Sequence, residues 1–219
     1  MIYNNWLLAI AISVVIASCN DTSKDGSLQA SPESSKTVQL KLIDSLGAIT
    51  LSIPLRYDTS FSWVHRSDCG KPCDEQKYRF QPKTLPITKE SGWVWLGELK
   101  DSIDRLTISH TGYFPFHDGD TAKDLVRHSH LKEELLADPN NPAIIFDTIQ
   151  KINDRYYSIF AMDKADSQQV KKVFAVTTIR NNEIRFQYEL LNKKNDSIAK
   201  DFIRKSIELL KTIHIERGI

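Results

Sequence analysis

The chain has 219 residues, 41% of them hydrophobic, with 29 lysines and arginines against 28 aspartates and glutamates, a formal net charge of +1. That balance removes the electrostatic footprint of a nucleic-acid-binding protein. The length suits one domain around one core.

At the start, Met1 to Asn5 carries no Lys or Arg, and Trp6 to Ala17 is apolar except for Ser13. As a helix those twelve residues span roughly 18 Å. A hydrocarbon core of about 30 Å needs more, so the stretch reads as the h-region of a signal peptide. It ends in Ile16-Ala17-Ser18-Cys19, which resembles a bacterial lipobox. The resemblance implies cleavage before Cys19, acyl chains such as palmitate on the new terminus, and a mature protein held at a membrane. Each buried methylene contributes about 0.8 kcal/mol, and stable anchoring takes more than one chain. In enteric-type sorting an aspartate directly after the cysteine favours the inner membrane. Here Asn20 comes first and Asp21 second. The expected residence is therefore the bacterial cell envelope, at the outer membrane. Residues 20–37, NDTSKDGSLQASPESSKT, are polar and serine-rich and read as a flexible tether. The expected organisation is a signal peptide over 1–18, a lipidated cysteine and tether over 19–36, and a single α+β domain over 37–219.

Beyond the tether, Val38, Leu40 and Leu42 alternate with polar residues as in a half-buried strand. Ser45-Leu46-Gly47 predicts a turn into a second strand, Ala48 to Ile53. Trp93 to Leu96 and Leu106 to Ile108 are further strands, and His65 falls in another. Asp120 or Thr121 is placed to cap a helix, with Asp124 at the capping-box spacing from Thr121. Leu125, Leu131, Leu135 and Leu136 predict its inward stripe, and Pro139 and Pro142 end it. Ala143 to Asp147, Arg155 to Met162 and Lys171 to Arg180 read as successive strands. Asn181-Asn182 is a hairpin turn, and Glu183 to Leu191 returns with Ile184, Phe186, Tyr188 and Leu190 on one face. Asp196 or Ser197 caps a last helix whose apolar side holds Ile198, Phe202, Ile203, Leu209 and Leu210. His214 and Ile215 add a short terminal strand. Runs of strands with segregated helices predict an α+β fold, an antiparallel sheet with helices packed on it.

The segment Arg155 to Glu216 is similar to the end of PsbP-like domains: strand, strand, an Asn-Asn turn, strand, then a helix reading FIRKSIELLKTIHI from Phe202. Ile49 to Pro54 resembles their entry strand followed by proline. The resemblance implies a PsbP-like fold and no catalytic residues. Such domains tend to be small extracytoplasmic binding or assembly factors, often lipoproteins, and some related domains are immunity proteins.

Candidate chemistry centres on SDCGKPCDEQ, residues 67–76. Outside the cytoplasm Cys69 and Cys73 are expected to form a disulfide. The closed loop is short, so the chain-entropy model gives it only about 2 kcal/mol. A redox pair is a weaker reading, because three residues separate the cysteines and no helix start lowers a thiol pKa. His65, Cys69 and Cys73 could gather a zinc or copper ion, but no fourth ligand is specified. His128 and His130, two apart on a helix, point away from each other. Aromatic and basic residues crowd this region: Phe61, Trp63, Arg66, Lys77, Tyr78, Arg79, Phe80, Trp93 and Trp95. They make either core with snorkelling bases or an exposed surface for a peptide, glycan or partner protein. Trp63, Arg66, Tyr78, Arg79 and Phe80 are the candidate binding residues here. Tyr113, Phe114 and Phe116, in the loop-like run His110 to His117, extend them. Asp118, Asp120 and Asp124 read as complementing the helix dipole. Phosphate-loop, dinucleotide, zinc-protease and nucleophile-elbow motifs are absent from the sequence. The resulting expectation is a membrane-anchored, non-enzymatic lipoprotein with neither cofactor nor metal. Its partners would be the membrane, through the lipid, and an envelope protein or glycan. The rival reading is an extracytoplasmic enzyme or metal or redox protein using the Cys69/Cys73 loop with a nearby histidine.

Overall fold

Alternation of side chains builds this molecule. In the strand Asn182–Lys193, Ile184, Phe186, Tyr188 and Leu190 are each 0–1% exposed, while Arg185 and Gln187 between them point the other way. The period of two puts one apolar set on one face of the sheet. The computed structural model describes residues 34–43, 45–68, 70–91, 94–96, 102–111, 125–165, 168–180, 182–193 and 197–218. Its strands, in chain order, are β1 (Ser35–Lys41), β2 (Gly47–Pro54), β3 (Thr59–His65), β4 (Glu75–Gln81), β5 (Lys89–Ser91), β6 (Val94–Leu96) and β7 (Ile103–Thr111). Helix α1 (Leu125–Ala137) follows, then β8 (Ala143–Ile152), β9 (Arg155–Ala165), β10 (Gln168–Ile179), β11 (Asn182–Lys193), helix α2 (Ser197–Leu210) and β12 (His214–Arg217).

Seven strands form one antiparallel sheet in the order β3-β4-β7-β11-β10-β9-β8. A three-stranded sheet, β1-β2-β12, and the antiparallel pair β5-β6 complete the strands among the described residues. The core face of the large sheet carries Leu106, Ile108, Ile159, Ala161, Val173, Ala175 and the four apolar residues of β11. It is closed by Ile49, Leu51 and Ile53 of β2 and by α2. Ala199, Phe202, Ser206 and Leu210 recur at helical spacing and form the buried side of α2. Ile198, Ile203 and Leu209 pack beside them, partly exposed. Full burial of a side chain such as Phe202 stabilises by about 1.5–3 kcal/mol. The antiparallel α+β architecture expected from the sequence is the architecture observed.

Three local features depart from expectation. Strand β1 begins at Ser35 and pairs Ser35, Lys36 and Thr37 with Pro54, Ile53 and Ser52, so ordered pairing starts inside the stretch read as tether. Strands β3 and β4 were not both marked by apolar periodicity, yet they form one end of the large sheet. Helix α1 does not bury the whole predicted stripe. Leu131 is buried against Phe160 and Val176, with Leu135 beside it, but Leu125 and Leu136 are 62% and 61% exposed. A helix resting on one small cluster needs only one turn of apolar contact. The caps predicted at Asp120, Thr121 and Asp196 lie outside the described residues.

Two connections are fixed by close local contacts. The turn after β2 is held to β7 by Arg56, whose Nε and Nη2 donate to the Asp104 carboxylate at 2.6 and 3.1 Å. Tyr57 Oη donates to the same carboxylate at 2.8 Å. The small sheet closes where Gly47 meets β12. Gly47 has φ of +130°, and a Cβ there would lie 1.9 Å from the Glu216 carbonyl oxygen. Gly47→Ala is expected to cost about 3 kcal/mol, from backbone strain and loss of β12 pairing. Equilibrium urea unfolding measures it, and faster exchange of the β12 amides would accompany the loss.

Candidate functional site

Side chains on the outer face of the large sheet, opposite α2, change character along the sheet. On β9 and β10, Phe160 and Val176 form an apolar patch covered by Leu131 of α1. Over β4, β7 and β11 the outer side chains are polar. The strand register arranges them in rows. Lys77 of β4 stands beside Ser109 of β7, which stands beside Arg185 of β11. One row on, Arg79, Thr107 and Gln187 are aligned in the same way. A third row places Arg105 beside Glu189. The middle strand thus offers short hydroxyl side chains, and its neighbours carry long charged ones. The result is a basin of about 240 Å³ with Ser109 and Thr107 in its floor, closed at one end by Phe174 and with Glu75 on its rim.

The walls are held in place. Arg79 is 2% exposed. Its Nε donates to Thr107 Oγ1 at 3.2 Å and its Nη1 to the Thr88 carbonyl at 3.0 Å. Its guanidinium carbon lies 4.7 Å from the centre of the Trp63 ring, a cation–π contact that fixes the planar group. Trp63 stacks in turn on Phe61 at 5.5 Å. Arg105 Nε donates to Glu189 Oε2 at 2.6 Å. Arg185 donates to Glu183 at 2.9 Å and lies 3.9 Å from Glu75. Burial opposes the charge on Arg185, but the hydrogen bonds and fields of Glu183 and Glu75 outweigh it, and its pKa is raised. Lys77 Nζ is 3.5 Å from Glu75. These are oriented donors with fixed charge, the kind of lining that binds a polar ligand.

In the comparisons with known proteins, this architecture resembles solved structures, one of them a PsbP protein. The solution structure of cyanobacterial PsbP (CyanoP) from Synechocystis sp. PCC 6803 is 12% identical in sequence. The match covers 82% of this chain and 92% of that one, with a TM-score of 0.45. No family model matches the chain, and no curated protein matches it either.

The candidate binding residues divide between faces. Trp63 and Arg79 stand together on the outer face. Tyr78 and Phe80, alternate residues of the same strand, turn to the core and are each 7% exposed. They do not join a common surface with Trp63, because one step along a strand reverses the side chain. Arg66 is exposed in the loop after β3, 3.9 Å from Asp74. Tyr113, Phe114, Phe116, Cys19, Cys69 and Trp93 lie outside the described residues. The residues that complete the basin, on β7 and β11, were visible in the sequence only as the polar half of alternating strands.

The histidines and Cys73 are similarly dispersed. A single 3-10 turn, Lys71–Cys73, follows Gly70, and Asp74 closes the loop by accepting from the Ser67 amide at 2.8 Å. Cys73 is not a free thiol. His65 is on the outer face opposite Glu75, whereas His110 pairs with Gln76 and so faces the other way. His110 is 1% exposed, stacked on Tyr78 at 5.9 Å, with Nδ1 donating to the Thr111 carbonyl at 2.8 Å. The two cannot converge on one ion. His128 stacks on Phe160 at 4.6 Å, and burial lowers its pKa. His130 lies out beside Glu133 at 3.7 Å.

Proposed function

We propose that this chain is a lipid-anchored lipoprotein of the bacterial envelope, tethered at the outer membrane, and that its α+β domain is a non-enzymatic binding or assembly factor. The observation that supports the binding role is the basin. Its arginines are held by carboxylates, a carbonyl, a hydroxyl and an indole ring, so the lining is set before any ligand arrives. Preorganised polar groups lower the ordering cost of association. A disulfide between Cys69 and Cys73 belongs to the same reading, as a clasp on the loop between β3 and β4, the strands that carry Trp63 and Arg79. The partner is an envelope protein or glycan meeting the outer face.

Two experiments test the proposal. Cys19→Ala is expected to move the protein from the membrane fraction to the soluble fraction, because the acyl chains supply the anchoring energy at about 0.8 kcal/mol per methylene. Equal membrane retention of the variant, or an unmodified terminus by mass spectrometry, would overturn the anchor. Mild crosslinking in intact cells tests the binding role. Capture of an envelope component is expected for the parent and not for a variant with Lys77 and Arg185 both changed to glutamine. Equal capture by the two would place binding elsewhere.

A further inference from the structure

We infer that the basin takes a small hydroxylated oxyanion, a sugar-acid- or sugar-phosphate-sized group bearing a carboxylate or a phosphate. The inference rests on the reading of the outer face as the binding surface and adds the chemistry of what binds there.

Three observations carry it. The first is charge. Among the basin's lining residues, Lys77, Arg79, Arg105 and Arg185 are cationic and Glu75 and Glu189 are anionic, a net of +2 in one concavity of a chain whose whole formal charge is +1. A concave site with an excess of one sign attracts ions of the other. The second is spacing. Lys77 and Arg185 stand on the two strands flanking β7. Their backbones are two strand spacings apart, about 10 Å. Their charged ends both reach the rim carboxylate of Glu75, at 3.5 and 3.9 Å, and so stand together at the Ser109 end of the basin. A carboxylate or phosphate group over that hydroxyl meets both cations and shares them with Glu75. The third is donor geometry. Thr107 Oγ1 accepts from Arg79 Nε, which leaves the threonine proton to donate into the basin. Gln187 in the same row supplies an amide with both donor and acceptor for ligand hydroxyls.

The size of the ligand follows from the volume. At about 240 Å³ the basin is smaller than the roughly 300–1,000 Å³ of drug-sized pockets, so it suits a single sugar-sized unit. Glu75 and Glu189, at the ends of the lining, repel a second anionic group. A ligand with one charged end and a neutral hydroxylated body meets all of these groups with complementary chemistry.

The test uses the detergent-solubilised full chain and isothermal titration with four probes: inorganic phosphate, glucuronate, glucose 6-phosphate and glucose. Saturable binding of glucuronate or glucose 6-phosphate is expected, weakening as sodium chloride rises because the interaction is between charges. Glucose is expected not to bind. The two charged sugars separate carboxylate from phosphate recognition, and inorganic phosphate separates the charged head from the hydroxylated body. The double variant Lys77→Gln/Arg185→Gln is expected to lose affinity by about tenfold or more. Ser109→Leu fills the floor while leaving every charge in place and is expected to lose it as well; circular dichroism confirms that both are folded. No binding of either charged sugar at about 10 mM, a regime that detects even millimolar affinity, overturns the inference, as does binding unchanged in both variants. If the sugars fail while crosslinked capture is still lost in the double variant, the ligand class is wrong and the binding face stands. If capture is also unchanged, both are wrong.

Discussion

Replacing Asp104 by alanine is expected to cost about 3–5 kcal/mol of folding stability, the range for breaking a buried ion pair on one side. The carboxylate accepts from Arg56 and Tyr57 together, and its side chain is 12% exposed against 21% for Arg56. Removing it leaves the guanidinium in a desolvated site with its main counter-charge gone. The loss also frees the turn that carries the chain from the small sheet to the large one. A double variant, Arg56→Met with Asp104→Leu, is expected to be more stable than Asp104→Ala alone, because apolar replacement of both partners removes the uncompensated charge. Chemical denaturation of the parent, Asp104→Ala, the single variants Arg56→Met and Asp104→Leu, and the double variant measures this. A double variant that falls by the sum of the two single losses would show that the pair does not act as a unit.

The second large effect is alkaline. Burial raises the pKa of Tyr57 well above its usual value, and the Asp104 charge adds to the rise. Burial likewise raises Tyr157 and Tyr188. Below about pH 10 the phenols are protonated in folded and unfolded chains alike. Above it the unfolded chain releases those protons and the folded chain keeps them. The native state then binds more protons, so stability falls as pH rises, by up to about 1.4 kcal/mol per pH unit for each tyrosine. Unfolding free energies between pH 8 and pH 11 are expected to be level at first and then to drop steeply. Tyr188 isolates one contribution, since its hydroxyl is buried with no hydrogen-bond partner among the described residues. Tyr188→Phe is expected to make the alkaline slope shallower by about 1.4 kcal/mol per pH unit. An unchanged slope would mean that this residue ionises equally in both states.

How much of this was legible beforehand follows the strength of each pattern. Strand β11 was plain, because four large apolar residues alternate without a break and Asn181-Asn182 marks the turn before them. Helix α2 was equally plain from its spacing. Strand β4 was not, and the reason is the site itself. Its sequence EQKYRFQ sends only Tyr78 and Phe80 firmly into the core, while Glu75, Lys77 and Arg79 stand on the outer face. The charges that build the basin dilute the periodicity that would announce the strand. Trp63 and Arg79 were singled out as aromatic and basic neighbours, and they do touch. Arg105, Thr107, Ser109, Arg185 and Gln187 carried no comparable signal. Their meeting depends on register between strands far apart in the chain, and one sequence does not encode that register in any local pattern.

The small sheet joins the first and last of the described strands. Its central strand, β2, has β1 on one side and β12 on the other, and Thr50 pairs with His214 across more than half the sequence. A polypeptide made from its N-terminus therefore carries β2 half-satisfied until β12 has emerged. Long-range pairing of this kind is late and slow. It follows that the small sheet closes only after β12 exists: the strand that completes β2 is separated from it by the whole of the large sheet in the chain, so the two sheets are committed together.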